Sequence, residues 1–236
     1  TWYLMFRGRR KILSECTRAD VLDVGVLMGA INTAFMTHRA NKAEIDYLVN
    51  YKNGRQTILD KEKRVRPEIN NKFVINHAQM ITRMVTGYFL GTPIQYVQSG
   101  AEKKAEIDIL NRYLQYEDKS TVDSEVAEYQ SICGTAYRIV FTDGVYGDEV
   151  PFEDKCLDPS NTFVVYENSI AENPLFGVTY HSRYDQYGNP TGFKIYCYTE
   201  YGQYVFVTDT DYVISNDYSF SPYNIGGVPI IEYPNN

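Results

Sequence analysis

Thr121-Val122-Asp123-Ser124-Glu125-Val126-Ala127-Glu128-Tyr129-Gln130-Ser131-Ile132-Cys133-Gly134-Thr135-Ala136-Tyr137-Arg138-Ile139-Val140-Phe141-Thr142 decides the fold class. Up to Cys133 the apolar positions recur at helical spacing, and from Ala136 apolar and polar residues alternate with the period of two of a half-buried strand. Gly134 sits at the change, where a residue tolerating the left-handed conformation ends a helix. Ser120 to Ser124 offer capping hydroxyls and a carboxylate at the helix start.

Upstream of this point the chain reads as helical. Between Ala19 and Met36 the apolar residues Val21, Leu22, Val24, Val26, Leu27, Ile31, Ala34 and Phe35 follow a 3.6 period, and a second helix is expected over Asn41–Tyr51, stopped by Asn53-Gly54. Residues 55–71 are polar, contain Pro67 and read as a loop. Phe73, Val74, His77, Met80, Ile81, Met84, Val85, Tyr88 and Phe89 then keep to one face of a helix about 17 residues long, expected to be well buried and ended by Gly91 and Pro93. A short strand over Ile94–Val97 and a helix over Ala101–Tyr116 complete this half.

Downstream, strands are expected at Glu149–Leu157, Thr162–Tyr166, Phe176–Tyr184, Phe193–Thr199, Gln203–Thr208, Tyr212–Ser215 and Val228–Tyr233. Turn-forming residues separate them, at Asp143 to Asp148, at Tyr187-Gly188-Asn189-Pro190-Thr191-Gly192 and at Glu200-Tyr201-Gly202. The fold class is therefore α+β, a helical N-terminal half (1–118) followed by a helix and a mostly antiparallel, tyrosine-rich β region (119–236).

Composition narrows the function. Charge is unevenly divided: 18 basic and 13 acidic residues precede position 119, and 5 basic and 17 acidic follow it, about +5 against −12. An acidic half is poorly suited to gripping phosphates. The densest basic patch, Lys61, Lys63, Arg64 and Arg66, is interrupted by Glu62 and reads as a solvated loop or a phosphate contact. Tyrosine is abundant, 22 residues against one tryptophan, which suits half-buried sheets and interfaces. Cys16, Cys133, Cys156 and Cys197 lack paired spacing, so buried reduced thiols are expected and a zinc site is not. No apolar run reaches membrane-spanning length, and a soluble protein made in a reducing cytoplasm is expected.

Catalytic motifs are missing: no glycine-rich phosphate loop, no nucleophile elbow, no His-Glu-x-x-His. His38 is expected at a helix junction and His77 on a buried face. His181 and Asp185 share a strand face at roughly 13 Å, too far apart for a base pair. Asp143, Asp148 and Glu149, or Glu153, Asp154 and Asp158, could gather a cation but lack a calcium-loop ladder and read as solvated turns. No catalytic, cofactor-binding or metal residue is assigned, and DNA-contacting residues are left open.

The order of five blocks resembles the portal (head-to-tail connector) proteins of tailed bacteriophages, in the branch typified by siphoviruses of Gram-positive hosts. They are Asp46–Leu59, Asn70–Tyr96, Glu128–Phe141, Leu157-Asp158-Pro159 with Val164-Val165-Tyr166, and Gly226–Asn236. The second and last blocks are the most specific; His77 departs from the tyrosine usual there. The resemblance implies a structural subunit of a dodecameric ring at one capsid vertex. Its expected partners are double-stranded DNA passing non-specifically through the channel, capsid and scaffolding proteins, the terminase motor and head-tail adaptors, with no membrane and no cofactor. It also implies that the chain corresponds to the outer wing, with stem, clip, tunnel loop and crown beyond it; the missing initiator methionine and the abrupt end at Pro234-Asn235-Asn236 read as trimming at both ends. The other readings are a different head-tail adaptor and, from the acidic turns, a metal-dependent nuclease.

Overall fold

A computed structural model describes residues 10–98, 104–142, 152–209 and 214–235. Four helices, α1 (Val24–Lys52), α2 (His77–Leu90), α3 (Lys104–Tyr116) and α4 (Lys119–Cys133), precede most of the strands, as the patterning predicts. The strands are β1 (Ile12–Ser14), β2 (Thr135–Phe141), β3 (Glu153–Leu157), β4 (Thr162–Glu167), β5 (Pro174–Tyr184), β6 (Pro190–Thr199), β7 (Gly202–Thr208), β8 (Ile214–Pro222) and β9 (Ile230–Pro234). They form a six-stranded sheet in the order β1-β4-β5-β6-β7-β8 and a three-stranded sheet in the order β3-β2-β9. All pairings are antiparallel except β1 with β4.

Strand alternation sorts side chains into layers. Phe163, Val165, Phe176, Val178, Tyr180, Ile195, Cys197, Tyr204 and Phe206 face α1 and close the main core against its Leu27, Ile31, Ala34 and Phe35. Their strand neighbours on the opposite face, Val164 and Tyr198, meet Tyr137, Ile139 and Ile230 of the small sheet. On the outer face of that sheet Ala136 packs against Val122 and Val126 of α4. The layers thus run α1, six-stranded sheet, three-stranded sheet, α4. Glu232 sits at the crossing of the two sheets, where its carboxylate accepts the hydroxyls of Thr135 (3.1 Å), Tyr137 (2.7 Å) and Tyr166 (2.7 Å).

Gly177 allows the two sheets to approach. A Cβ there would lie 2.7 Å from Cβ of Ile230 and 3.1 Å from its Cδ1, and Ile230 is fully enclosed. Overpacking of this kind costs about 1–3 kcal/mol. Gly177→Ala is expected to lower the unfolding free energy by about 2 kcal/mol, read as a lower urea midpoint at constant m; an unchanged midpoint would show that the small sheet shifts freely.

Several local expectations are corrected. The two helices expected at 19–36 and 41–51 are one continuous α1, capped by Asp23, whose carboxylate accepts the amides of Gly25 (2.8 Å) and Val26 (3.2 Å). The gap in hydropathy was made by His38 and Asn41, which occupy buried, core-facing positions although polar. Each has partners: Asn41 bonds the amide and carbonyl of Arg10 at 3.1 and 2.7 Å, which seats β1, a strand the sequence did not announce. Asn53-Gly54 does end the helix, with Gly54 at φ +92°.

Helix α4 starts two residues before Thr121 and has no side-chain cap; Asp118 enters it in the left-handed conformation, φ +49°. Gly134 closes it as expected, at φ +70°. Residues 94–97 form no strand. The strand expected to end at Ser215 continues instead to Pro222, because β7 offers a ladder to Tyr218, Ser219, Phe220 and Ser221 that their own sequence does not signal. The turn at 143–148 and the start of its partner strand lie outside the described residues.

Candidate functional site

The segment from Phe73 through α2 has the surface least explained by the fold. Asn76 caps the helix, accepting the amide of Gln79 at 3.2 Å, while its amide nitrogen donates to the Lys52 carbonyl at 2.6 Å and ties α2 to the end of α1. Only Thr82 of the helix is buried. Most of the face expected in the core is open to solvent: Phe73 is 79% exposed, Tyr88 85% and Phe89 72%, and Met80, Ile81 and Met84 are also exposed, while Val74 and Val85 are half-buried; Ile75, off that face, is exposed too. Helical periodicity shows that a face needs an apolar partner; it does not say that the same fold supplies one. His77, at the first position of α2, is exposed rather than buried.

A second, smaller apolar surface lies at the free edge of the large sheet. Tyr218 and Phe220 of β8 pack on Tyr204, with ring centroids at 6.0 and 4.6 Å, yet remain 47% and 43% exposed. The expected strand stopped at Ser215, so neither residue was placed in the sheet.

The candidate acid–base groups do not converge. His181 lies on β5 with its ring edge toward Tyr196, centroids 6.0 Å apart. The Asp185 carboxylate is spent on the following turn, accepting from the Asn189 side chain (3.0 Å) and the amides of Asn189 and Tyr187 (2.8 Å each). These bonds, the Asn189 side chain foremost, hold its pKa below the usual carboxylate value. His38, placed within α1 rather than at a junction, is 1% exposed and packs at 4.7 Å from the Phe163 ring.

The acidic trio 153, 154 and 158 is dispersed. Asp154, expected in a solvated turn, is a buried residue of β3 held bidentately by Arg138, with Nε to Oδ1 at 2.6 Å and Nη2 to Oδ2. Arg138 also donates to Asp123 at 2.9 Å, and Asp123 pairs with Lys119. The partnership with Asp154 raises the guanidinium pKa above its ordinary value. Glu153 pairs with Lys155, and Asp158 accepts the Ser160 amide at 2.8 Å. Asp143, Asp148 and Glu149 lie outside the described residues. Among the described residues no three His, Cys, Asp or Glu side chains are grouped to hold a metal ion.

Lys61, Lys63, Arg64 and Arg66 all lie in the exposed connection between α1 and α2, where Lys63 donates to the Ile69 carbonyl at 2.9 Å. All four cysteines are free; Cys133 and Cys197 are buried and Cys16 and Cys156 half-buried. Burial pushes the thiols of Cys133 and Cys156 up to about 12, away from nucleophilic reactivity at neutral pH. Among the described residues no helix is long and apolar enough to cross a membrane.

What the surface can do is associate. It presents a large apolar helix face and an aromatic sheet edge. No individual curated protein matches the chain. Residues 35–236, which include α2 and all of the strands from β2 onward, match the family described as phage portal protein, SPP1 Gp6-like. This chain therefore belongs to the phage portal protein family, whose members are structural components of the virion.

Proposed function

We propose that the protein is a subunit of the ring at one capsid vertex through which double-stranded DNA is packaged and ejected, in the family a dodecamer. The observation that carries this reading is the family match over residues 35–236. The exposed apolar face of α2 supports it, since an apolar patch of this extent on a folded chain marks a protein interface. The net charge of about −12 after position 118 supports a conduit over a DNA clamp, because a surface that releases few counterions lets the duplex slide.

In this reading residues 1–118 and 119–236 are two parts of the outer, wing-like region. Capsid or scaffolding proteins, the packaging motor and head-tail adaptors meet other parts of the ring. Each subunit uses two different patches on its neighbours, a heterologous contact closed by rotation.

Sizing by light scattering tests the proposal on the protein expressed from its complete reading frame. The expected result is a closed assembly of about twelve subunits. A strict monomer at all concentrations overturns it.

A further inference from the structure

We infer that the apolar face of α2 in one subunit docks on the β8 edge of a second copy of the same chain. This inference rests on the ring reading above and names the surfaces that would close it.

The two surfaces complement each other in charge. Residues 70–98, which carry the α2 face, contain two basic residues, Lys72 and Arg83, and no acidic one. β8 itself carries one acidic residue, Asp217, and no Lys or Arg. Arg83 is exposed beside Met80 and Met84 and makes no ion pair among the described residues. Asp217 is exposed on β8 next to Tyr218. Charge of opposite sign around two apolar centres favours this pairing and penalises α2 meeting α2 or β8 meeting β8.

Their positions suit a heterologous contact. Helix α2 leans on α4 and the end of α1, outside the small sheet, whereas β8 pairs only with β7 at the far edge of the large one. The small sheet meets the large one at β4 and β5 through β9 and at Tyr198 of β6, so β7 lies between β8 and that crossing, which Tyr223 just after β8 reaches. Two different surfaces of a subunit generate a ring or a filament and not a two-fold dimer.

The area is also sufficient. Phe73, Tyr88 and Phe89 are each exposed by more than 70%, and with Ile75, Met80, Ile81 and Met84 they offer on the order of 800 Å² to a partner, one side of a standard interface. Tyr218 and Phe220 supply rigid aromatic anchors of the type that dominates interface energetics.

Charge exchange in the protein from its complete reading frame provides the test. Arg83→Glu places acid against acid in every interface and Asp217→Lys places base against base. Each variant alone is expected to raise the concentration for half-assembly at low salt by about tenfold, with unchanged thermal unfolding of the subunit. An equimolar mixture is expected to recover the unmodified midpoint, because alternating subunits restore an opposite-charge pair at every contact. Normal assembly of either variant assigns the α2 face to a different occupant and overturns the inference, leaving the ring reading intact. Two defective variants that do not complement each other when mixed overturn it equally. Failure of the unmodified protein to assemble overturns both readings.

Discussion

Arg138→Met is expected to lower the unfolding free energy by about 3–5 kcal/mol, the usual consequence of leaving buried carboxylates without their cation. The Arg138 side chain is 11% exposed and Asp154 2%, so water cannot replace the lost donors. Asp123 retains Lys119, whereas Asp154 loses both of its side-chain ion-pair bonds. Urea titration checks this through the midpoint at constant m. Arg138→Met/Asp154→Leu is expected to recover most of the loss, since the exchange of a whole buried ion pair for apolar groups is close to neutral. A single-variant change below about 0.5 kcal/mol, the range of ordinary surface substitutions, would show that the cluster is solvated and contributes only screened attraction.

Stability is expected to fall by about 3 kcal/mol as pH is lowered from 7 to 4, and His38 is the cause. Burial lowers its pKa from 6.5 to about 4, opposed by its bond to the Ser160 carbonyl and deepened by Lys42. Nε2 lies 3.2 Å from that carbonyl and 3.2 Å from the Tyr180 hydroxyl. A carbonyl only accepts, so the neutral ring carries its proton on Nε2. Tyr180 and Lys42 donate to the same oxygen, at 3.2 and 3.1 Å, and the nearby Asp46 carboxylate offsets the burial only in small part.

The sign follows directly. Between pH 6.5 and 4 the unfolded chain binds a proton on His38 that the folded chain refuses, so acid favours unfolding over that window and the loss is complete near pH 4. His38→Gln keeps a donor toward Ser160 and removes the titration. Its stability should be nearly flat from pH 6.5 to 4.5 in chemical denaturation, and a slope equal to that of the unmodified protein would place the effect elsewhere.

The same residue shows how reading the sequence failed locally. His38 and Asn41 look like a break between two helices because hydropathy treats them as surface groups, yet they are the buried positions that continue the stripe of Leu27, Ile31, Ala34, Phe35 and Ile45. Their partners, the Ser160 carbonyl and the Arg10 backbone, are 122 and 31 residues away. Asp154 was unreadable for a similar reason. A carboxylate in a short charged run looks solvated until β3 pairs with β2 and Arg138 is brought beside it.

Local chemistry was enough wherever the determinant was short in range. The change of period at Gly134, the stop at Asn53-Gly54, a turn between β5 and β6 (expected over 187–192, found over 185–189) and the run of strands follow from side-chain spacing and backbone preference, and with them the α+β class. The five blocks of family resemblance belong to the same level. Whether the apolar face from Phe73 to Phe89 is covered was decided by tertiary structure alone, and contrary to expectation. An amphipathic period records that a face must leave water, which is a property of the segment. What covers it depends on how α1, α4 and the two sheets fill the interior, and here they close around one another and leave α2 facing out.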